Sequence, residues 1–385
     1  MGECRHGHLR FVGEVYDSRA YGGKPGTALT SNDVNVLEPV QAYVALDIPD
    51  PFGAKSKAAI TAGRMMLNIG SRRLVAADDY RNTTTSYTGL RADVALSQGF
   101  TATAIVVAPQ FRLPGDAASV HDNRQALDLE TDDLLLFGGV ASAPLSIGGG
   151  RIEGSYFGLR ERDAPDRPTR DRRLETFGLR LYRDPAPARF DYDVEVIGQT
   201  GHVSDSLAVN AQRLDVAAGF VHAEAGHQWA DPWKTRLSAE FDWASGDDAG
   251  PKYRRFDTLF GMRRAEFAPS GILAAIGRAN IAMPGVRVEI APGERLDAFA
   301  SIHRLYLASA TDSFTNTGVR DASGNAGRHG GDLFDCRVRY WLVPNALRLE
   351  VDYTFIAKGR FLRDAPNAPA GGDTQYLSLN ATWTF

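Results

Sequence analysis

The stretch Leu347-Arg348-Leu349-Glu350-Val351-Asp352-Tyr353-Thr354-Phe355 decides the fold. Every apolar or aromatic residue in it stands at an odd position, and every charged or hydroxyl residue at an even one. A helix would scatter these charges around its circumference, whereas a strand puts them all on one side. The same period returns at the C-terminus, where Leu377, Leu379, Ala381, Trp383 and Phe385 alternate with Tyr376, Ser378, Asn380, Thr382 and Thr384. Upstream, Leu237, Ala239, Phe241 and Trp243 oppose Arg236, Ser238, Glu240 and Asp242, and Tyr192, Val194 and Val196 oppose Asp191, Asp193 and Glu195. Alternation alone leaves two architectures open. A soluble sandwich buries the apolar face; a membrane barrel turns it to lipid and lines its lumen with the charges.

The connections choose between them. About sixteen strands can be read, and their links alternate between short and long. Short links are 49–57, 97–99, 142–150, 183–189, 229–234, 291–295 and 343–346, several with Pro or Gly turn chemistry. Long links are 18–37, 68–86, 109–132, 161–173, 200–213, 245–279, 307–331 and 357–373. A sandwich or propeller has no reason to sort its loops by parity, whereas an up-and-down outer-membrane barrel has short periplasmic turns and long extracellular loops. The terminal Trp383-Thr384-Phe385 fits an aromatic girdle at the periplasmic interface. The expected fold is therefore all-β, a transmembrane antiparallel up-and-down barrel forming one domain over 1–385, with 1–8 as an unstructured or truncated start.

Composition agrees with a folded chain: hydrophobic residues make up 43% and charged residues 23%. The net charge of −4 gives no reason to expect a nucleic-acid partner. No stretch approaches the ~20 consecutive apolar residues of a spanning helix. A barrel remains compatible with the mean hydropathy of −0.26, because lipid-facing and lumen-facing residues alternate. Cys4 and Cys336 are too few for a disulfide framework or a metal site. The segment Met1–Arg10 has no apolar core of a signal peptide, which taken literally would place the protein in the cytoplasm. The reading adopted is instead that the N-terminus is incomplete and the destination is the bacterial outer membrane.

Three segments resemble the alginate-export outer-membrane porins. One is Gly63-Arg64-Met65-Met66-Leu67-Asn68 with Ser71-Arg72-Arg73-Leu74-Val75 and Asp79-Tyr80-Arg81-Asn82. The second is Phe256-Asp257-Thr258-Leu259-Phe260-Gly261 leading to Gly277-Arg278-Ala279-Asn280-Ile281, and the third is Ala346-Leu347-Arg348-Leu349-Glu350 with the terminal Trp383-Thr384-Phe385. The resemblance runs from about residue 9 to 385 and implies an eighteen-stranded barrel that exports alginate. It also implies that two N-terminal strands and the signal peptide are absent here; a complete sixteen-stranded porin is the alternative. Family members often carry Pro where Gly261 stands, and a His–aromatic stretch where this chain has Arg263 to Phe267.

Functional residues of a porin line its lumen. The strand ladders place Arg91, Arg180, Arg236, Arg287, Arg337, Arg339 and Arg348 there, with Asp93, Asp191, Asp193, Glu195, Glu240, Asp242, Glu289, Asp335, Glu350 and Asp352. Mixed charge is also what any wet interior holds, since opposite charges pair across strands. The loops are more distinctive. Arg72, Arg73 and Arg81 in 68–86, and Arg254, Arg255, Arg263, Arg264 and Arg278 in 252–278, outnumber the nearby acids. The second loop also holds Phe256, Leu259, Phe260, Ile272, Leu273 and Ile276, too apolar a set to stay in water. It is expected to fold into the barrel mouth. The expected constriction comprises these arginines with Arg64, Arg91, Arg348 and Glu350, because a guanidinium fork grips carboxylates and stays charged. The bland alternative is that the loop arginines pair with loop acids or with lipopolysaccharide phosphates. Strict parity would turn Arg64 outward with Ile60 and Ala62, which the lumen assignment does not accept.

His222 and His227 point to opposite faces of a strand and cannot share a metal. Gly148-Gly149-Gly150 lies in a turn with no helix after it, so it is not a phosphate loop. No cofactor, metal or catalytic residue is expected. The expected function is passive, solute-selective passage of acidic saccharides, alginate export among them. Uptake of small organic acids or sugars is the alternative, and an outer-membrane enzyme or adhesin the alternative of another class. Expected partners are outer-membrane lipid and lipopolysaccharide, the acidic solute, and periplasmic export components.

Overall fold

The computed structural model describes residues 1–385 except 24–28, 78–81, 147, 165–166, 249, 263–266, 268 and 270–275. In chain order its strands are β1 Gly2–His6, β2 Leu9–Ser18, β3 Asn35–Pro49, β4 Lys57–Met65, β5 Asn68–Ile69, β6 Val75–Ala76, β7 Tyr87–Ala95, β8 Thr101–Pro109, β9 Leu134–Pro144 and β10 Arg151–Glu161. They continue as β11 Arg173–Arg183, β12 Arg189–Ser204, β13 Arg213–Gln228, β14 Arg236–Ala244, β15 Lys252–Tyr253, β16 Ile281–Ile290, β17 Leu296–Tyr306, β18 His329–Val343, β19 Leu347–Lys358 and β20 Thr374–Trp383. Among the described residues, two short helices with both ends defined, α1 Ala117–His121 and α2 Arg360–Asp364, lie in the loops.

Each long strand pairs antiparallel with the next in sequence, giving an 18-stranded sheet. One member, the two-residue β15, lies parallel against β13 inside a loop; the rest form the wall. β1 pairs with β2, and β20 with β19, but among the described residues the two end strands are not bonded to each other. Among the described residues the wall thus has one strand more than the sixteen or so expected. The extra strand is β1, which corrects the unstructured start: Gly2–His6 pairs in register with Leu9–Gly13 through a tight turn. Its sequence gave no sign of this because Gly-Glu-Cys-Arg-His carries no apolar alternation, and all five residues are exposed.

Which face is inside follows from exposure. On β19, Leu349 and Val351 are 40% and 42% exposed, while Glu350 and Asp352, which alternate with them, are 4% and 0%. The charged face is therefore enclosed and the aliphatic face open, the reverse of a water-soluble sheet. Outward Val286, Val196, Leu179 and Leu237 repeat this on β16, β12, β11 and β14, opposite inward Arg236, Glu240 and Asp242. Lipid accounts for the inversion, since only there does an apolar exterior cost nothing.

Candidate functional site

The inward residues change character along each strand. From the short-turn end, β12 reads Asp191, Asp193, Glu195 and then Ile197. β14 reads Arg236, Ser238, Glu240, Asp242 and then Ala244; β19 reads Arg348, Glu350, Asp352, Thr354 and then Ile356; β10 reads Glu153, Ser155 and then Phe157 and Leu159. The lumen is therefore layered, with a charged lower half and an apolar collar beneath the extracellular mouth.

In the lower half the charges meet one another. Arg236 reaches Asp191 at 3.1 Å, Glu224 at 2.6 Å and Glu289 at 2.9 Å. Arg180 holds Asp193 through two hydrogen bonds of 2.7 and 2.9 Å. His222 Nδ1 lies 2.8 Å from Asp242, and His303 Nε2 lies 2.9 Å from Glu240. The second contact crosses a whole strand: β16 presents Gly285 where the His303 ring passes, and any Cβ there would overlap the ring. Enclosed charges persist only with such partners.

The collar is closed from above by loops. Inward Phe157, Leu159, Leu174, Phe220, Met283, Leu305 and Leu333 pack against Ile69, Leu74 and Val75 of the 66–86 loop and Phe256 and Ile276 of the 245–280 loop. Phe314 and Phe361 from the next two loops complete the cluster. The first two loops are joined backbone to backbone: Phe260 donates to the Leu74 carbonyl at 3.0 Å, Ala76 to Phe260 at 3.0 Å, and Met262 to Arg72 at 3.1 Å. Gly261 sits where a Cβ would overlap the Arg73 carbonyl oxygen, so this junction needs glycine. The tip of the first loop descends further, and Arg73 reaches Glu195 at 2.6 Å and Asp193 at 3.2 Å on β12.

Above the collar two cavities of about 200 and 170 Å³ share Thr258, Arg278 and Asn316. The first is also lined by Tyr253, Arg255 and Asp257, the last held by Arg172 at 2.9 Å, and the second by Arg112 and Phe260. Arg255 pairs with Asp312 at 2.6 Å. Arg278, 2% exposed, donates to the Met262 carbonyl and lies over the Phe220 and Phe267 rings.

The expected site residues divide as follows. Arg255 and Arg278 come together at the first cavity, Arg73 is carried below it by the first loop to Glu195 and Asp193, and Arg72 contributes its carbonyl to the junction of the two loops. Arg91, paired with Asp93 at 2.7 Å, and Arg348, 3.6 Å from Glu350, face the lumen lower down, away from the loop junction. Arg254 is half exposed, 3.5 Å from Asp248. Arg81, Arg263 and Arg264 lie outside the described residues. Arg64 is not in the lumen. The register pairs it with Ala42 and Thr88, on the outward face of Ile60 and Ala62, so strict parity was right and the lumen assignment wrong. Lipid does not receive the charge, because Arg64 stands at the extracellular rim and is clasped by Glu38, Glu130 and the Pro39 carbonyl. Burial would raise the Glu130 carboxyl, but hydrogen bonds from Arg64, Thr88 and Gln110 outweigh it and hold the group below its usual range.

Sequence reasoning passed over Glu153, Glu224 and His303, and weighed His222 only as a metal ligand. Glu153 and Glu224 were findable by extending the parity of β10 and β13. The partnership of His303 with Glu240 was not, because it depends on the gap left by Gly285 on the strand between.

The family model for alginate export matches residues 2–372. Among solved structures the fold is similar to Pseudomonas aeruginosa OccK2 (OpdF), at 12% identity and a TM-score of 0.57 over 97% of this chain and 84% of that one. A BenF-like porin from Pseudomonas fluorescens Pf-5 is equally similar, at 12% identity and 0.57 over 98% and 88%. The Pseudomonas aeruginosa outer membrane protein opdK gives 12% and 0.55 over 89% and 79%. Comparison with curated proteins gives no match. At such identities the structural neighbours speak for the fold alone, an antiparallel β-barrel of the porin kind. With the inverted sheet, the layered lumen and a family match over nearly its whole length, the chain belongs to the alginate-export family of bacterial outer-membrane proteins.

Proposed function

We propose that this barrel passes acidic saccharides selectively and passively, uronate chains among them, with recognition in the cationic vestibule above the collar. The observation that carries this reading is the convergence of Arg112, Arg255 and Arg278 on two adjoining cavities between the inward-folded loops. Guanidinium groups in a narrow, partly dry space concentrate carboxylates, and their planar forks orient them. The name of the family supports an acidic polysaccharide as cargo. Collar and loops would part to admit it.

The size of the cavities favours a second reading. About 200 and 170 Å³ is below the ~300–1,000 Å³ of a pocket for a drug-sized ligand. A single sugar acid or small organic acid suits that space better than a resting polymer, as in an uptake channel. Bilayer recordings separate the two readings. Oligouronates added on the vestibule side should block the open channel at concentrations about tenfold lower than the monomer or a neutral oligosaccharide, and Arg255→Gln with Arg278→Gln should remove that difference. Equal block by monomer and oligomer supports the second reading. A cation-selective channel indifferent to uronates sinks both.

A further inference from the structure

The outer wall carries a feature that solute passage does not use. Outward residues of β10 run Ile152, Gly154, Tyr156, Gly158 and Arg160. At ~3.3 Å per residue and a tilt of ~40°, the climb from Ile152 to Arg160 is ~20 Å, so Arg160 stands near the extracellular edge of an apolar band ~25 Å tall. Directly opposite it on β11 is Arg173, and opposite Arg173 on β12 is His202. Like charges facing each other across an antiparallel pair repel. Arg160 is answered by Glu175, which also accepts the Tyr156 hydroxyl at 2.6 Å. Arg173 is half exposed, and among the described residues its one ion pair is a 3.9 Å contact with Asp171. Arg162, more exposed still, extends the cationic rim beside Asp133 at 3.1 Å. His202 lies 2.9 Å from Asp215.

Beneath this row is a row of rings. Phe137, Tyr156 and Phe177 lie side by side on the outward faces of β9, β10 and β11, with centroids 6.2 and 5.1 Å apart, and Arg160 lies over the Phe137 ring at 5.2 Å. Leu179 and Val196 continue the apolar surface downward. Cations at headgroup height above an aromatic and aliphatic wall match a lipid that is phosphorylated at its head and multiply acylated below.

We propose that the top of β10 and β11 binds a phosphate of an outer-leaflet lipid between Arg160 and Arg173, with the acyl chains laid along Phe137, Tyr156 and Phe177. The bound phosphate offsets the repulsion of the two guanidinium groups and fixes the barrel's height in the leaflet. This does not depend on which solute the channel passes.

The test uses the full chain in mild detergent, diphosphoryl lipid A as probe, and native mass spectrometry as readout. Wild-type protein should retain the lipid; Arg173→Gln should lower the retained fraction about fivefold, and Arg160→Gln with Arg173→Gln should bring it to background. Arg173→Lys, which keeps the charge, should retain most of it. Arg304→Gln, at an exposed rim arginine of β17 paired with Asp332 at 2.9 Å, should change nothing. Raising the salt should strip the lipid from the wild type. Equal retention by Arg173→Gln and wild type overturns the proposal. So does equal retention of lipid A without phosphates, which would mean a purely apolar groove. Displacement by inorganic phosphate at the lipid's own concentration also overturns it, by showing a site for the free anion.

Discussion

Asp128 shows how one side chain can tie an extracellular loop to the rim. It is 8% exposed and accepts hydrogen bonds from the Leu113 amide at 2.9 Å and from Asn35 on β3 at 2.8 Å, both at Oδ1. Burial pushes its carboxyl up to about 6, with the neighbouring Glu38 adding to the shift against those hydrogen bonds. A carboxyl raised in the folded protein destabilises it when ionised. The loop should therefore be held least firmly above pH about 6, and progressively better as pH falls from there toward the ordinary value of 3.8. Asp128→Asn keeps an Oδ1 acceptor for both donors without the charge. Proteolytic protection of 110–133 should thus rise between pH 7.5 and 5 in the wild type and be high and flat in the variant; parallel profiles would refute the assignment. Gly261 makes a steric counterpart. A methyl group there meets the Arg73 carbonyl, so Gly261→Ala should cost about 1–3 kcal/mol and part the two loops. The change should register as a larger single-channel conductance with the barrel still heat-modifiable on gels, and an unchanged conductance would show that the junction closes nothing.

At the scale of the element, the 66–86 loop behaves as a peg, its apolar flank in the collar and its Arg73 on β12. Both ends of the Arg73–Glu195 pair are nearly buried, at 6% and 5% side-chain exposure. Removing one partner of such a pair leaves an uncompensated charge, a loss of about 3–5 kcal/mol. Arg73→Gln should therefore raise conductance and shift selectivity toward cations, because Glu195 and Asp193 lose a counter-charge, and Arg73→Lys should recover part of both. A reversal potential unmoved by Arg73→Gln would remove the peg from the permeation path. How much of this the sequence disclosed follows from what each element needs. Strands that see lipid on one side and water on the other must alternate, so β14, β19 and β20 were legible residue by residue. The inward folding of 245–280 was legible too, because Phe256 and Ile276 are too apolar to stay outside. Its zipper with the first loop was not, since bonds between Leu74, Ala76 and Phe260 are made by backbone and leave no side-chain signature. β1 escaped for the opposite reason: its pairing is real, but its own side chains, all five exposed, carry no apolar alternation.

For the whole molecule, the decisive fact is that charge is sorted by height. The vestibule gathers Arg112, Arg255 and Arg278 against the lining carboxylate of Asp257, whereas below the collar Glu153, Asp191, Asp193, Glu195, Glu224, Glu240, Asp242, Glu350 and Asp352 outweigh the arginines among them. Parity could place these acids in the lumen, but it could not show that they sit below a dry collar, because height depends on how far each loop folds inward. A pore with a cationic outer mouth and an acidic inner half is an electrostatic junction. Anions enriched at the outer mouth meet a barrier beyond the collar, and cations enriched at the inner half meet one at the mouth. Current through the open channel should therefore rectify, with unequal conductance at equal and opposite voltages in dilute salt. The asymmetry should fade near 1 M salt, where the screening length falls to about 3 Å. Arg255→Gln with Arg278→Gln should flatten it from one side, and Glu350→Gln with Asp352→Asn from the other. A current–voltage curve that is symmetric in dilute salt would mean that the paired charges cancel at every height, and that selectivity has to come from the width of the collar alone.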